Sequence, residues 1–207
     1  MISRSRLYAG LVALPPWVPE IETKPAPTPL LLVQSFVNTY EADTDIDLLA
    51  DPQTARRWLR SCGLLDRSAE LAAPQLLQIR EVREAIRALL QANAGRPGPT
   101  RAQQRVLASV ADHAVMRLSI DRSALRLDIT PGSAQPTGTM TMRLLLIIRD
   151  AQHDGTWPRL KACSNTECQW AYYDRSHAQK GKWCDMSTCG NRLKNRTLRA
   201  RHRPSAG

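Results

Sequence analysis

Apolar residues recur at helical spacing through much of the first 150 positions. The longest run lies within residues 73–94, where the apolar positions are Leu76, Ile79, Val82, Ile86, Leu89 and Leu90. Intervals of three and four place these side chains on one face of a helix. The Gly-Arg-Pro-Gly-Pro segment at 95–99 ends this pattern. A further helix is predicted from Thr100 to about His113, with Gln103 placed for a capping box.

Two shorter segments precede the long helix. Asp51 followed by Pro52 is a good helix start, because aspartate is a strong N-cap and proline is tolerated at the first helical position. That helix is predicted to end near Gly63, since glycine is common just after a helix. The apolar run at 30–40 (LLLVQSFVNTY) is too short to be assigned as a strand or as a helix.

After residue 113 the period of the pattern changes. Residues 115–120 and 124–130 alternate apolar and polar positions on either side of a short polar segment, which predicts a β-hairpin. A helix rich in leucine and isoleucine is predicted over 139–151, buried on most sides. Residues 155–158 are predicted to form a linker.

These patterns predict an α+β protein in two parts. Residues 30–155 are expected to form a mostly α-helical N-terminal domain with a small β-hairpin, and residues 156–207 a small C-terminal module. A chain of 207 residues is long enough for this arrangement. Residues 1–29, with six prolines in their second half, are predicted to be a disordered, proline-rich extension.

Four of the five cysteines lie near the C-terminus at paired spacings: Cys163, Cys168, Cys184 and Cys189. Two C-x4-C pairs converging on one ion are typical of zinc ribbons and related fingers. Four thiolates complete a tetrahedron and leave no position for water, so one structural Zn²⁺ is predicted. Two disulfides are the alternative, but they would leave Cys62 over. The cysteine usage therefore favours a reducing cytoplasm.

Trp170 and Tyr172 alternate along a strand predicted at 169–173 and therefore share one face. They either form the small core of the module or stack on a base. The sequence leaves both interpretations open.

Positive charge is concentrated in the same module. Residues 159–207 contain 11 Lys and Arg against three acidic residues, and so carry about +8 of the chain's +10. A last helix is predicted from about 185 to 203. At about 100° per residue, four arginines fall within one flank of it: Arg192, Arg196, Arg199 and Arg203. Like charges at this spacing repel one another, so a polyanionic partner is favoured over a solvated basic face, which remains the alternative.

Arginine forms bidentate hydrogen bonds to phosphates and to guanine edges, which suits a nucleic-acid partner. The residues predicted to contact nucleic acid are Arg192, Lys194, Arg196, Arg199, Arg175, Lys180 and Lys182. DNA is favoured, and RNA stays open because basic fingers with aromatic residues serve both.

The run Cys189-Gly190-Asn191-Arg192 makes the module resemble the CGNR zinc finger. The preceding C-x4-C spacing, the Trp-x-Tyr-Tyr-Asp segment from residue 170 and the basic helix are similar to that family as well. The resemblance implies zinc ligands at Cys163, Cys168, Cys184 and Cys189, with DNA contacts from the helix that follows Cys189.

The upstream region is similar to the ABATE domain that usually accompanies this finger. The matching residues are Phe36-Val37-Asn38-Thr39, Asp47-Leu48-Leu49, Trp58-Leu59 and Gly63-Leu64-Leu65. Together the two resemblances cover roughly residues 30–203. They imply a bacterial transcription regulator, sometimes described as stress-induced. The chain departs from the ABATE pattern at Ser35, where the family often has aspartate.

Other functions are weighed against this one. No apolar run is long enough to span a membrane. The N-terminal histidines, His113 and His153, lie in no catalytic motif, so no enzyme is predicted. A protein-interaction module with an acidic partner stays open. The N-terminal domain is expected to dimerise or to sense a small molecule. Asn38 and Thr39 are candidates for lining a ligand pocket or, alternatively, for capping a helix or turn.

Overall fold

The structure, a computed structural model, describes residues 14–112, 115–121, 126–132 and 136–191. Its helices are α1 (Leu30–Val37), α2 (Pro52–Ser61), α3 (Ala73–Asn93), α4 (Arg101–Asp112) and α5 (Pro136–His153). Its strands are β1 (Tyr40–Glu41), β2 (Ile46–Asp47), β3 (Val115–Asp121), β4 (Arg126–Gly132), β5 (Leu160–Ala162) and β6 (Ala171–Tyr173). Each strand pairs in sequence order with one antiparallel neighbour. The chain is therefore α+β with a mostly helical N-terminal region, as predicted.

The starts of α2 and α4 follow from capping chemistry. Asp51 accepts hydrogen bonds from two backbone N–H groups in the first turn of α2. Thr100 and Gln103 form a reciprocal capping box at the start of α4. The three helices predicted before residue 113 are confirmed, with ends that differ by one or two residues.

The run that sequence alone left unassigned forms α1. All eight of its residues are buried, because α1 passes through the middle of the fold and contacts α3, α5 and β6. A helix enclosed on every side needs no polar face. Its sequence therefore carries no helical period, which is why the pattern was ambiguous.

The predicted hairpin is confirmed as β3 and β4, paired from Val115 with Gly132 to Asp121 with Arg126. The second strand lies two residues further along than predicted. Helix α5 begins three residues early, at Pro136, since proline is compatible with the first turn of a helix. Within the described ranges no helix combines the length and apolarity needed to cross a lipid bilayer.

The described half of the proline-rich extension is ordered against the fold, so the prediction of disorder is wrong for residues 14–29. Val18, Glu22 and Ala26 are buried. The carbonyl of Trp17 accepts from the indole N–H of Trp58, and the carbonyl of Lys24 accepts from the N–H of Tyr173. Proline has no N–H to satisfy, so a proline-rich chain can cover a protein surface with few hydrogen bonds. Residues 1–13 lie outside the described residues.

The segment predicted as a linker is packed. Trp157–Arg159 form a turn of 3₁₀ helix, and the Trp157 side chain is buried in the main core. Asn93, at the end of α3, donates from Nδ2 to the carbonyls of Trp157 and Leu160, both at 2.9 Å. The sequence indicated a linker because glycine and proline flank the tryptophan, but the burial of a large aromatic side chain outweighs that local signal.

One hydrophobic core joins the helical region to the cysteine module. Its residues include Phe36, Leu59, Ile86 and Leu144 from the helices, and Leu160, Ala162, Ala171 and Tyr173 from β5 and β6. The first strand pair of the cysteine module is therefore packed into the core of the helical region.

Polar side chains of α1 and its C-cap complete the open edge of β6. Within the described part of the chain, strand β6 pairs with β5 alone. On the other side, Asn38 accepts from the N–H of Ala171 at 2.7 Å and donates to its carbonyl at 2.9 Å. Gln34 donates to the same carbonyl at 3.2 Å. The two side chains replace the hydrogen bonds of a third strand.

This arrangement corrects the ligand-pocket interpretation of Asn38 and Thr39. Both are buried. Asn38 is occupied by Ala171 and Glu22. Thr39 Oγ1 donates to the carbonyl of Phe36 at 2.8 Å and accepts from Arg83 at 3.3 Å. Thr39 thus closes the C-terminal turn of α1, the alternative considered from the sequence.

We expect Asn38→Ala to lower the free energy of unfolding of the zinc-loaded protein by about 2 kcal/mol, because it leaves the buried N–H of Ala171 without a partner and removes one of the two donors to its carbonyl. Denaturant titration followed by circular dichroism measures this. Gln53→Ala, at an exposed site on α2, is the control and should change stability by less than about 0.5 kcal/mol. Equal effects of the two substitutions would contradict the role assigned to Asn38.

Candidate metal centre

The first cysteine pair is held by the turn that joins β5 to β6. Cys163 directly follows β5, and its N–H donates to the carbonyl of Trp170 at 2.9 Å, extending the strand pair. The carbonyl of Asn165 then accepts from the N–H groups of Cys168 and Gln169. This tight turn ends at Gln169, which has a positive φ of 53°. It brings the second cysteine back beside the first.

In the second cysteine pair, Cys184 precedes a single helical turn, Met186–Gly190, and Cys189 lies within it. Asp185 caps that turn by accepting from the N–H groups of Ser187 and Thr188. Gly190 is closely surrounded, since a Cβ atom there would lie 2.5 Å from Met186 Sδ and would displace that exposed side chain. The two halves of the module meet where the N–H of Ser164 donates to the carbonyl of Lys182 at 2.8 Å.

The four sulfur atoms form a compact cluster, all within 4.8 Å of one another. The Sγ atom of Cys184 lies 3.6 Å from that of Cys168 and 3.7 Å from that of Cys189. Zinc–sulfur bonds of about 2.3 Å require about 3.8 Å between the sulfur atoms of a regular tetrahedron. The spacing therefore fits one tetrahedral zinc ion held by Cys163, Cys168, Cys184 and Cys189, as predicted.

The pKa values of the cysteine thiols also indicate that a cation belongs at this site. Hydrogen bonds from the Cys168 and Cys184 thiols lower the pKa of Cys163 to about 2. The pKa values of Cys168 and Cys184 are raised, because both groups donate to Cys163 and then lie against its negative charge. Thiolates so close together cannot all ionise unless a positive ion neutralises them. A divalent ion that favours sulfur meets that requirement.

The surroundings of the sulfur atoms favour a structural role for the ion. Three of the cysteines are buried and Cys184 is half-buried. Asn165 Nδ2 lies 3.8 Å from the Sγ atom of Cys189, and backbone N–H groups of Asn165 and Cys184 point to the sulfur of Cys163. Such N–H donors orient the ligands and offset their charge. Four protein ligands leave no coordination position for substrate or water.

Three aromatic residues of the module pack around the cysteines. Tyr172 is fully buried against the cysteines, and Trp170 and Trp183 pack at the edge of the same cluster. The indole N–H of Trp170 donates to Glu22 in the N-terminal segment at 3.2 Å. Of the two interpretations drawn from the sequence, the structure supports the packing role for Trp170 and Tyr172.

Helix α3 also reaches the first cysteine turn. Arg87 donates to the carbonyls of Gln169 and Val37, at 2.9 and 2.8 Å. Burial lowers the pKa of Arg87, and the nearby Glu84 carboxylate opposes that shift. Arg83, the neighbouring buried arginine, makes a two-pronged ion pair with Asp47. The helical spacing of α3 indicated its apolar face but gave no sign of these buried arginines.

A buried ion pair closes the loop between β6 and the second cysteine pair. Lys161 on β5 donates to Asp174 at 2.8 Å, and both side chains are about 95% buried. Asp174 also accepts from the N–H groups of Ser176 and Gly181. A Cβ atom on Gly181 would lie 2.9 Å from this carboxylate. Burial would raise the pKa of Asp174, but the hydrogen bonds outweigh it and hold the pKa well below its usual range.

The predicted nucleic-acid residues fall into two groups. Arg175, Lys180 and Lys182 are exposed on the loop that Asp174 closes. Arg192, Lys194, Arg196 and Arg199, with the helix predicted to carry them, lie outside the described residues. The Lys161–Asp174 pair was missed at the sequence level, because one lysine in a strand of three residues shows no pattern that distinguishes a buried charge from an exposed one.

The geometry defines a class of protein in which a mostly helical domain shares its core with a four-cysteine zinc finger. Family comparisons divide the chain in the same way. Residues 159–202 match the CGNR zinc finger, and residues 31–153 match the ABATE family, described as a putative stress-induced transcription regulator. The second match spans more than half of the chain, so the protein belongs to the ABATE family and carries a CGNR finger. Neither family is one of enzymes. A search of curated proteins found no match.

We expect one zinc per chain in the wild-type protein and a loss of most of it in Cys163→Ser or Cys189→Ser, since an alcohol is a poor zinc ligand. Elemental analysis after gel filtration measures the ratio. Cys62→Ser is the matched control because Cys62 is buried away from the cluster, and it should keep one zinc. Zinc lost equally from all three variants would contradict the assignment.

Asp174→Asn should cost about 3–5 kcal/mol of stability, because it leaves Lys161 buried without a counter-ion. The double variant Lys161→Met/Asp174→Asn should recover most of that loss. Thermal unfolding of the zinc-loaded single and double variants measures the loss and its recovery. A double variant as unstable as the single one would show that the ion pair is not the source of the effect.

Proposed function

We propose that this zinc-finger regulator acts by binding DNA through its C-terminal module, as a cytoplasmic transcription regulator without enzymatic activity. The observation that carries the proposal is the distribution of charge in the described part of the finger. Its basic residues Arg175, Lys180 and Lys182 are exposed, while Asp174 is buried with Lys161 and Asp185 caps a helical turn. Of the three acidic residues in the described finger only Glu167 is exposed, so the exposed lysines and arginine outnumber it and present a positive field to a polyanion.

The loop that bears these residues is well suited to hold phosphates. Asp174 fixes both of its ends through Ser176 and Gly181, and zinc anchors the chain beyond it at Cys184. A loop ordered before binding loses less conformational entropy when it meets a ligand. Lysine and arginine on it would contact the DNA backbone and set the orientation of the finger.

The arginine-rich segment after Asn191 supplies the second half of the proposed surface. Arg192, Arg196 and Arg199 are proposed to contact phosphates or guanine edges, with Lys194 as a further phosphate contact. The helical region would act as a sensing or dimerising domain. The core that it shares with β5 and β6 supports this role, because a change in helix packing would also alter the packing of those two strands.

RNA and an acidic protein surface are the competing partners. All three would give binding that weakens with salt, so salt dependence alone does not distinguish them. A competition experiment distinguishes them. Unlabelled duplex DNA should displace a labelled duplex at a lower concentration than RNA of equal length does. An acidic polypeptide should displace the labelled duplex poorly.

We expect Arg192→Ala/Arg196→Ala/Arg199→Ala to weaken duplex binding and to reduce the slope of log K against log salt by about three, one for each phosphate that is no longer neutralised. Lys180→Ala/Lys182→Ala should reduce it by about two. Fluorescence anisotropy across a salt series, with zinc content measured in parallel, provides the test.

The control for that experiment is Arg57→Ala/Arg101→Ala/Arg105→Ala, which removes the same number of exposed arginines from the helical region. Its slope should match that of the wild type. If both triple variants lower the slope equally, binding is a response to net charge and the proposed surface is misplaced. Stoichiometric zinc without binding to DNA or RNA would make the finger a scaffold for a protein partner.

A further inference from the structure

A cleft of about 290 Å³ lies where the N-terminal segment, the β1–β2 hairpin and the finger meet. Its walls include Ile21, Glu41, Asp43, Trp170 and Asp185, together with three of the cysteines. Its size lies at the small end of the range of ligand pockets, about 300–1,000 Å³, so it suits one small molecule. The end of the cleft at the three cysteines belongs to the zinc site, but zinc binding assigns no role to the part lined by Ile21, Glu41 and Asp43.

The charged side chains described in the cleft are all acidic. Among the residues that the structure describes, its lining holds three carboxylates and no lysine, arginine or histidine. The side chain of Glu41 has no hydrogen-bond or ion-pair partner among the residues that the structure describes. A zinc ion bound by four thiolates adds a net charge of about −2 behind the same wall. Lys24 is a cation that acts on Asp185, and its ammonium group donates to the carbonyl of Trp183.

The rest of the lining is apolar and aromatic. Ile21 is 56% exposed, although its neighbour Glu22 is buried. Trp170 is fixed in orientation by the hydrogen bond from its indole N–H to Glu22. A held tryptophan beside carboxylates is the combination that binds organic cations, since the ring face attracts positive charge and covers an apolar body.

We propose that this cleft is a binding site for a small organic cation, an ammonium or amidinium group on an apolar body. Glu41 and Asp43 attract the charged group, and Ile21 and Trp170 contact the apolar part. The site joins residues of the ABATE region to residues of the finger, so its occupancy would alter how the two are held together. This binding does not depend on nucleic acid.

The test compares two probes of the same shape and different charge, benzamidinium and benzamide, added to the zinc-loaded, full-length protein without DNA. Binding is followed by ¹H–¹⁵N NMR of the Trp170 indole N–H, whose signal is identified by its loss in Trp170→Phe. We expect benzamidinium to shift this signal and to bind at least tenfold more tightly than benzamide.

Variants locate the charge that matters. Glu41→Gln keeps the shape of the side chain and should weaken benzamidinium about tenfold, as expected for the loss of one close charge near a surface. Glu20→Gln, an exposed carboxylate of the same N-terminal segment that does not line the cleft, should leave the affinity unchanged. Equal affinity for the two probes, no shift of Trp170, or equal effects of the two substitutions would each overturn the proposal.

Discussion

The mutual repulsion of four neighbouring thiolates is the constraint on which the finger depends. Sulfur atoms within 4.8 Å of one another are stable as anions only around a cation, and zinc satisfies this need with tetrahedral bonds. The elements that hold the cysteines are a strand pair of three residues each and one helical turn. These elements are too small to be stable alone, because they bury little apolar surface. Zinc binding and the folding of the finger are therefore coupled.

The finger is not an appendage to the helical region. The outer edge of β6 is completed by Asn38 and Gln34 and by the carbonyl of Lys24. Arg87 joins α3 to the residue that follows Cys168. Because buried backbone groups must find partners, these contacts make each part necessary to the other.

The charges of the described finger are arranged in two opposite ways. On the loop at 174–182 the acidic group is neutralised by Lys161, so the exposed charge is positive. In the cleft beside the cysteines, the described lining residues that carry charge are the carboxylates of Glu41, Asp43 and Asp185. A chain with a large positive net charge therefore also contains a local acidic site. Only the position of each side chain in space reveals that difference.

The sequence by itself determined the helices α2 to α4, the hairpin and the zinc ligands, because each depends on local spacing or on capping residues such as Asp51 and Thr100. It also indicated the family, since Cys189-Gly190-Asn191-Arg192 is a short contiguous run. The tertiary structure alone decided that α1 is a helix, that residues 14–29 and Trp157 are packed, and that Asn38 completes a strand edge. Only the tertiary structure shows that Lys161 pairs with Asp174 and that Glu41 lies beside the finger. These features join residues far apart in the chain, so no local pattern of hydrophobicity or charge records them.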